Sequence, residues 1–117
     1  MTHRSDADIE PRVQEAVRLF LQRVSGAHRV EGAILFGSRV RRDHRSDSDA
    51  DVAVLFHGRQ GPFLDTKLAL ADIAYDVLLE TGILIQPLPV WEDEWEHPDH
   101  AANPRLIRNI AREGIRL

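Results

Sequence analysis

The sequence contains no cysteine, and lysine occurs only once among its 15 basic residues, at Lys67. Without cysteine the chain cannot form a disulfide scaffold, a thiolate zinc site or a cysteine nucleophile. The net charge is -4, whereas a protein that binds nucleic acid through bulk charge needs a basic surface. We therefore expect no direct nucleic-acid binding.

Long apolar runs are also missing from the sequence. No stretch approaches the roughly 20 apolar residues that span a bilayer, and residues 1–10 lack the apolar segment of a signal peptide. These absences predict a soluble, cytoplasmic protein with no membrane partner. The 117 residues, 43% of them hydrophobic, suffice for one compact domain over residues 1–117.

The first half of the chain predicts a helix followed by two strands. Apolar residues recur at helical spacing over residues 8–25, which is typical of an amphipathic helix. Residues 30–36 and 51–56 are short apolar runs that predict strands, and we expect the first to lie inside the sheet. The polar, arginine-rich segment 39–45 between them predicts one or two helical turns.

The second half begins with the pattern of a long helix that ends at Gly82. The apolar residues that mark this helix are Leu64, Leu68, Ala71, Tyr75 and Leu78, and Tyr75 is predicted to lie in the core. Residues 83–90 predict a third strand, placed at a sheet edge because its two prolines lack N–H donors. Asn103 and Pro104 are typical of the start of a last helix, and Gly114 of its end. The alternation of helices and strands predicts an α/β (α+β) fold.

The segment between the first two strands carries the most informative residues. Gly37 and Ser38 stand where a buried strand gives way to a turn. Glycine lets the backbone approach a ligand closely, and the unpaired amides of a first helical turn favour an anion. A serine hydroxyl adds a donor, so this turn predicts a small phosphate-binding site.

Asp49 and Asp51 lie two residues apart at the start of the next strand. Strand side chains alternate, so both carboxylates should point to the same side. Clustered carboxylates repel each other, and a divalent cation removes that conflict. Ligands that are all oxygen favour Mg²⁺ or Mn²⁺ over zinc. If the strands are neighbours, the phosphate turn and the metal pair can hold a nucleotide triphosphate together.

Residues 30–56, with Gly37-Ser38 followed by Asp49-x-Asp51, resemble the nucleotidyltransferase superfamily of the DNA polymerase β type in its minimal single-domain form. The resemblance implies a polymerase β-like fold, a small mixed β-sheet covered by helices. It implies that Gly37 and Ser38 hold the triphosphate of ATP, that Asp49 and Asp51 hold Mg²⁺, and that Arg39 contacts phosphate. It also implies a partner, because minimal members often act as the antitoxin of a HEPN-domain ribonuclease toxin.

Two positions depart from the pattern of that superfamily. Arg42 stands where relatives often have glycine, which affects the short helix after the turn. Fully catalytic members also carry a third carboxylate on a later strand, whereas residues 83–90 offer Gln86 and no acid. A glutamine cannot act as a general base. Three acids remain open as substitutes: Asp47, Asp76 and Glu80.

The sequence therefore favours Mg²⁺-dependent transfer of AMP from ATP to a hydroxyl of a partner protein, and the resemblance implies a tyrosine of a HEPN toxin as the acceptor. Asp49 and Asp51 are the predicted catalytic pair. One alternative is a nucleotide-binding module of weak or no activity that neutralises its partner by contact. Another is a transferase acting on a small molecule. Homo-oligomers and hetero-oligomers both remain open.

Other residues suggest chemistry more weakly. The aspartates of residues 47–51 do not form a calcium loop, because the required glycine and distal acid are missing. His97 and His100 lack further ligands and predict a solvated loop. Trp91 and Trp95 predict core packing, with a partner-binding patch as the alternative. The arginine stripe of the last helix predicts a solvated face, and its members are Arg105, Arg108 and Arg112.

Overall fold

The computed structural model describes residues 10–37 and 49–117, so the predicted turns at 39–45 lie outside the described residues. Helix α1 spans Pro11–Ala27. Proline suits the first position of a helix, because its φ is already helical and no N–H is left unpaired. The predicted start at residue 8 is wrong, since Glu10 has extended backbone angles. The helix also continues through Gly26, beyond its predicted end.

The described residues form a four-stranded sheet in the order β3-β2-β1-β4. Its strands are β1 (Val30–Phe36), β2 (Ala50–Phe56), β3 (Ile85–Trp91) and β4 (Ile115–Arg116). β1 pairs antiparallel with both β2 and β4, and β2 pairs parallel with β3. The sheet is therefore mixed, as predicted, with β1 inside and the proline-containing β3 at an edge.

One face of the sheet, the α1/α2 face, is covered by α1 and by α2 (Phe63–Thr81). The strand residues of this core include Val52, Val54 and Ile85, which are almost fully buried. They pack with apolar residues of the two helices, among them Val13, Val17, Phe20, Leu70, Ala74 and Val77. This larger of the two clusters contains most of the buried side chains.

The opposite face is reached after β3 through α3 (Glu92–Glu96) and a 3-10 turn at Pro98–His100. Helix α4 (Pro104–Glu113) then packs Ile107 and Ile110 against the sheet, and this is the α4 face. The strand residues under α4 are Ile34, Ala53, Leu55 and Val90. The alternation of strand side chains separates the two cores.

Helix α2 ends before Gly82, as predicted, but Tyr75 does not lie in the core. The buried residues of the helix are Leu70, Ala74 and Val77. Tyr75 is instead 58% exposed, and Leu64 and Leu68, two other residues whose spacing marked the helix, are 65% and 56% exposed. The helix is apolar on two sides, so helical spacing alone could not decide which side packs against the sheet.

The two tryptophans do not share a helix face. Trp91 is the buried last residue of β3, and its ring lies 5.7 Å from that of Phe56 on the α1/α2 face. Trp95 belongs to α3 and packs, partly buried, on the α4 face. Both residues therefore contribute to the core, and neither forms the alternative surface patch.

The predicted cap of α4 is present, since the Asn103 side chain accepts a hydrogen bond from the backbone N–H of Leu106 at 3.2 Å. We expect Asn103→Ala to lower the free energy of unfolding by about 1 kcal/mol, because one amide of the first helical turn loses its acceptor. Urea unfolding followed by circular dichroism measures the change. Asn103→Asp keeps an acceptor at this position and should unfold at nearly the wild-type urea concentration; equal losses in both variants would contradict the capping role.

Candidate functional site

Asp49 and Asp51 stand at the start of β2, and both are partly exposed. Asp51 has the same strand parity as Ala53 and Leu55, whose side chains pack on the α4 face. Its side chain therefore points to the α4 face, beyond the part of the sheet that α4 covers. The neighbouring residues Ala50 and Val52 point the other way, into the α1/α2 core.

Gln86 of β3 connects the two aspartates. It lies directly opposite Asp51 in the parallel pairing of β2 with β3, so both side chains leave the sheet on the same face. The Gln86 Nε2 atom also donates a hydrogen bond to Asp49 Oδ2 at 2.9 Å. Because Gln86 reaches Asp49 from the position opposite Asp51, the carboxylates of both aspartates lie on one side of the sheet.

Gly37 brings the turn after β1 against Asp51. Phe36 pairs with Asp51 across the antiparallel strands, and Gly37 follows with a φ of +80°. A Cβ atom at residue 37 would overlap the Asp51 carboxylate. Glycine is therefore needed twice here, for the left-handed backbone and for the close approach. The other predicted phosphate contacts, Ser38 and Arg39, lie outside the described residues.

The structure locates two of the three acids that the sequence offered as a possible third carboxylate. Asp76 and Glu80 belong to α2, which packs on the α1/α2 face, whereas Asp49 and Asp51 point to the α4 face. Glu80 forms an ion pair with Arg23 of α1, and this guanidinium holds the pKa of the Glu80 carboxyl below its usual value, chiefly through their hydrogen bond. Neither acid can complete the aspartate pair. Asp47 lies outside the described residues.

The chemistry of the available ligand atoms decides whether a divalent cation can bind beside Asp49 and Asp51. Two carboxylates on one side of a strand supply the hard oxygen ligands that Mg²⁺ and Mn²⁺ prefer. Gln86 occupies the position of the expected third acid and orients Asp49 through its amide. The residues present thus fit a cation held by two carboxylates. From the sequence, Gln86 is only a residue that lacks the expected carboxylate. Its contact with Asp49 could not be predicted, because that contact depends on the parallel register of β2 with β3.

A second polar cluster, which the sequence did not predict, lies at the other end of β2. The Nδ1 atom of His57 lies 3.0 Å from Glu31 Oε1 and 3.6 Å from Glu92 Oε1. These three side chains could hold a metal ion, and a protonated His57 would equally balance the two carboxylates. A cavity of about 240 Å³ adjoins the cluster. His57 lies six positions after Asp51 along the direction of β2, roughly 20 Å at about 3.3 Å per residue, so the cluster is not part of the aspartate site.

The weaker sequence signals are part of the surface. His97 and His100 lie in an exposed turn, where His100 Nδ1 is 3.3 Å from Asp93 Oδ2. The arginines of α4 are solvated, and Arg108 forms an ion pair with Asp99 of the preceding turn. These outcomes agree with the predicted solvated loop and solvated helix face.

None of the helices in residues 10–37 and 49–117 combines the length and apolar character that crossing a membrane demands. No curated protein sequence matches the chain significantly. Among solved structures, the chain is similar to a crystal structure from Sulfolobus solfataricus assigned as a nucleotidyltransferase. The two are 19% identical, the match covers 80% of this chain and 83% of the other, and the TM-score is 0.49.

Residues 20–88 match the family described as "Polymerase beta, Nucleotidyltransferase". The match covers more than half of the chain, and it includes β1, β2, α2, Gly37, both aspartates and Gln86. The mixed sheet flanked by helices is consistent with the fold of that family. The chain therefore belongs to the polymerase beta nucleotidyltransferase family.

Proposed function

We propose that this protein transfers AMP from ATP to a hydroxyl group of a partner protein, with Asp49 and Asp51 holding Mg²⁺. The observation that carries this proposal is the convergence of three strands on one side of the sheet. Gly37 lies against the Asp51 carboxylate, and Gln86 joins the position opposite Asp51 to Asp49. A phosphate-binding turn and a carboxylate pair at this spacing suit a nucleotide triphosphate.

The chain's own residues bind and orient the reactants in this mechanism. The Gly37-Ser38 turn holds the β- and γ-phosphates, which aligns the α-phosphate for in-line attack by the acceptor hydroxyl. Asp49 and Asp51 bind the cation beside that phosphate, and Gln86 keeps the Asp49 carboxylate in place. When bound, Mg²⁺ lowers the pKa of the attacking hydroxyl and balances charge on the departing pyrophosphate.

Among residues 10–37 and 49–117, no side chain supplies a third carboxylate beside the pair. Gln86 stands at that position, and Asp76 and Glu80 belong to a helix that packs on the other face of the sheet. An amide cannot accept the proton of the attacking hydroxyl. In this proposal the proton of the attacking hydroxyl passes to solvent water, because no carboxylate base stands beside the pair among the described residues. The reaction is therefore expected to be slow.

The proposed acceptor is a tyrosine hydroxyl of a HEPN-domain ribonuclease toxin, and the proposed role is that of a cytoplasmic antitoxin. The support is the resemblance of Gly37-Ser38 and Asp49-x-Asp51 to minimal nucleotidyltransferases with such partners. The test incubates the protein with labelled ATP, MgCl₂ and the product of the neighbouring gene, and measures the mass of that product. A gain of one AMP on a tyrosine supports the proposal, and an unmodified partner overturns it.

A contact-only antitoxin is the second candidate, and Gln86 at the position of the third acid favours it. The two candidates separate in a neutralisation assay with the Asp49→Asn/Asp51→Asn variant. If this variant still blocks the toxin, contact is sufficient and the transfer is not needed for neutralisation. If neutralisation is lost while binding to the toxin persists, the transfer carries the effect.

Restoring the missing acid is expected to strengthen cation binding. We expect Gln86→Glu to raise the affinity for Mn²⁺ about 10-fold or more, because a third carboxylate joins the pair. Without cation the extra negative charge should lower the unfolding temperature by a few degrees, and Mn²⁺ should reverse this loss. Isothermal titration calorimetry and thermal unfolding measure both effects. Gln86→Leu is the matched variant, and equal Mn²⁺ affinity in the two would contradict the placement of Gln86 in the site.

A further inference from the structure

Helix α2 carries an apolar surface that the rest of the described chain does not cover. The large hydrophobic side chains that are exposed in residues 10–37 and 49–117 all belong to this helix. They are Phe63, Leu64, Leu68, Tyr75 and Leu79, with exposed fractions from 40% to 68%. Single exposed apolar residues are ordinary, whereas a contiguous group marks an interaction surface.

Helical geometry places four of these side chains in one row. At about 100° per residue, Leu64, Leu68, Tyr75 and Leu79 fall within an arc of about 60°. We call this row the α2 stripe. The buried residues Leu70, Ala74 and Val77 lie on the opposite side of the helix. The α2 stripe therefore adds nothing to the core and faces outward along most of the 19-residue helix.

Charge is distributed unevenly beside the α2 stripe. Four exposed acids follow one flank of it, at helix angles between about 80° and 160° from Leu64. They are Asp65, Asp72, Asp76 and Glu80, of which Glu80 is already paired with Arg23 of α1. The other flank carries Lys67. A partner that buries the stripe must bring positive charge to the acidic flank, because like charges brought together in an interface are costly.

We propose that the α2 stripe is a docking surface for an amphipathic helix of another protein, whose apolar face is flanked by a row of arginine or lysine. A second copy of this chain fits poorly. An antiparallel pair of α2 helices brings both acidic rows to the same side, and a parallel pair offers each row only Lys67. An amphipathic helix laid along an apolar surface is a recurring mode of recognition.

The docking surface is independent of the proposed transfer reaction. The α2 stripe lies on the outer side of the α1/α2 layer, whereas Asp49 and Asp51 point to the α4 face. A helix bound to the stripe therefore leaves the aspartates uncovered. Loss of docking and loss of nucleotidyl transfer can be produced by different substitutions.

The test uses two labelled synthetic helices of about 19 residues, the length of α2. Both carry leucine along one face; the first has arginine along one flank, and the second has glutamate there. Fluorescence anisotropy measures their affinity for the whole protein. We expect the arginine helix to bind at least 10-fold more tightly than the glutamate helix. Equal affinity for the two helices overturns the proposal.

Substitutions in α2 separate apolar docking from simple attraction of charge. Leu68→Asp adds a negative charge, so charge alone would strengthen binding of the arginine helix. We expect it to weaken binding at least 10-fold, and Leu79→Asp to act in the same way. Leu68 is exposed, so circular dichroism should show an unchanged fold. Wild-type affinity in both variants overturns the proposal.

Charge reversal tests the acidic flank. Asp72→Lys should reduce the preference for the arginine helix several-fold, whereas Glu15→Lys makes the same change on the exposed side of α1 and should leave the preference unchanged.

Light scattering of the wild-type protein tests whether a second copy of this chain occupies the α2 stripe instead. A dimer that Leu68→Asp converts to a monomer would identify a second copy as the occupant and overturn the proposal.

Discussion

Replacing both Asp49 and Asp51 by asparagine is expected to lower the rate of AMP transfer about 100-fold or more, equivalent to at least roughly 2.7 kcal/mol of transition-state stabilisation. The substitution keeps the size of both side chains and the carbonyl oxygens, but it removes the two negative charges that attract the cation. Transfer measured with labelled ATP at saturating MgCl₂ gives the rate. Titration with Mn²⁺ should show a parallel loss of affinity.

The fold should survive this double substitution. Both aspartates are partly exposed, and asparagine can still accept the Gln86 hydrogen bond, so the unfolding temperature should change by only a few degrees. A matched control removes charge from the cluster at the other end of β2. Glu31→Gln/His57→Ala should retain the wild-type transfer rate and the Mn²⁺ binding that the aspartate variant loses, whatever Mn²⁺ the His57 cluster itself binds. If this control loses activity and the aspartate variant does not, the metal site has been assigned to the wrong end of the sheet.

Strands β1 and β2 were predictable from sequence because their apolar runs are short and nearly continuous, whereas β3 spans Ile85–Trp91 instead of residues 83–90 and the two-residue β4 was not predicted. β1 has the predicted bounds, and β2 begins one residue earlier than predicted, at Ala50. Such runs fit strands buried on both faces. Helix α2 was predictable in extent but not in orientation, because Leu64 and Leu68 on one side are as apolar as Leu70 and Val77 on the other. Contacts with α1 and the sheet decide between the two sides.

The common direction of the Asp49 and Asp51 side chains follows from a spacing of two residues, which the sequence shows directly. The position of Gly37 depends on the register in which Phe36 pairs with Asp51, and no local pattern specifies that register. The role of Gln86 depends on the parallel pairing of β2 with β3, which allows its hydrogen bond to Asp49, 37 positions away in sequence. Local patterns therefore predicted the residue types of the site, whereas strand pairing determines which of them meet.

Replacing Gly37 by alanine is expected to damage both the fold and the cation site. An L-residue with a φ of +80° costs roughly 1–2 kcal/mol, and the new Cβ overlaps the Asp51 carboxylate. Together with the cost of forcing atoms into an occupied space, the loss of unfolding free energy should be about 2–4 kcal/mol. Because the carboxylate must move, Mn²⁺ affinity and the transfer rate of the folded protein should both fall about 10-fold or more.

Gly58 supplies the control for the backbone part of this effect. It follows β2 with a φ of +84°, and a Cβ atom added there meets nothing within 4 Å. Gly58→Ala should therefore lose only about 1–2 kcal/mol of unfolding free energy and keep wild-type Mn²⁺ affinity and transfer rate when measured well below its unfolding temperature. Calorimetry and the labelled-ATP assay on both variants separate the effect of backbone strain, which both share, from the effect of the Cβ overlap with the Asp51 carboxylate, which only Gly37→Ala has. If Gly37→Ala matches Gly58→Ala in cation affinity and transfer rate, the turn after β1 does not position Asp51. The proposal that the phosphate-binding turn and the aspartate pair form one site is then wrong.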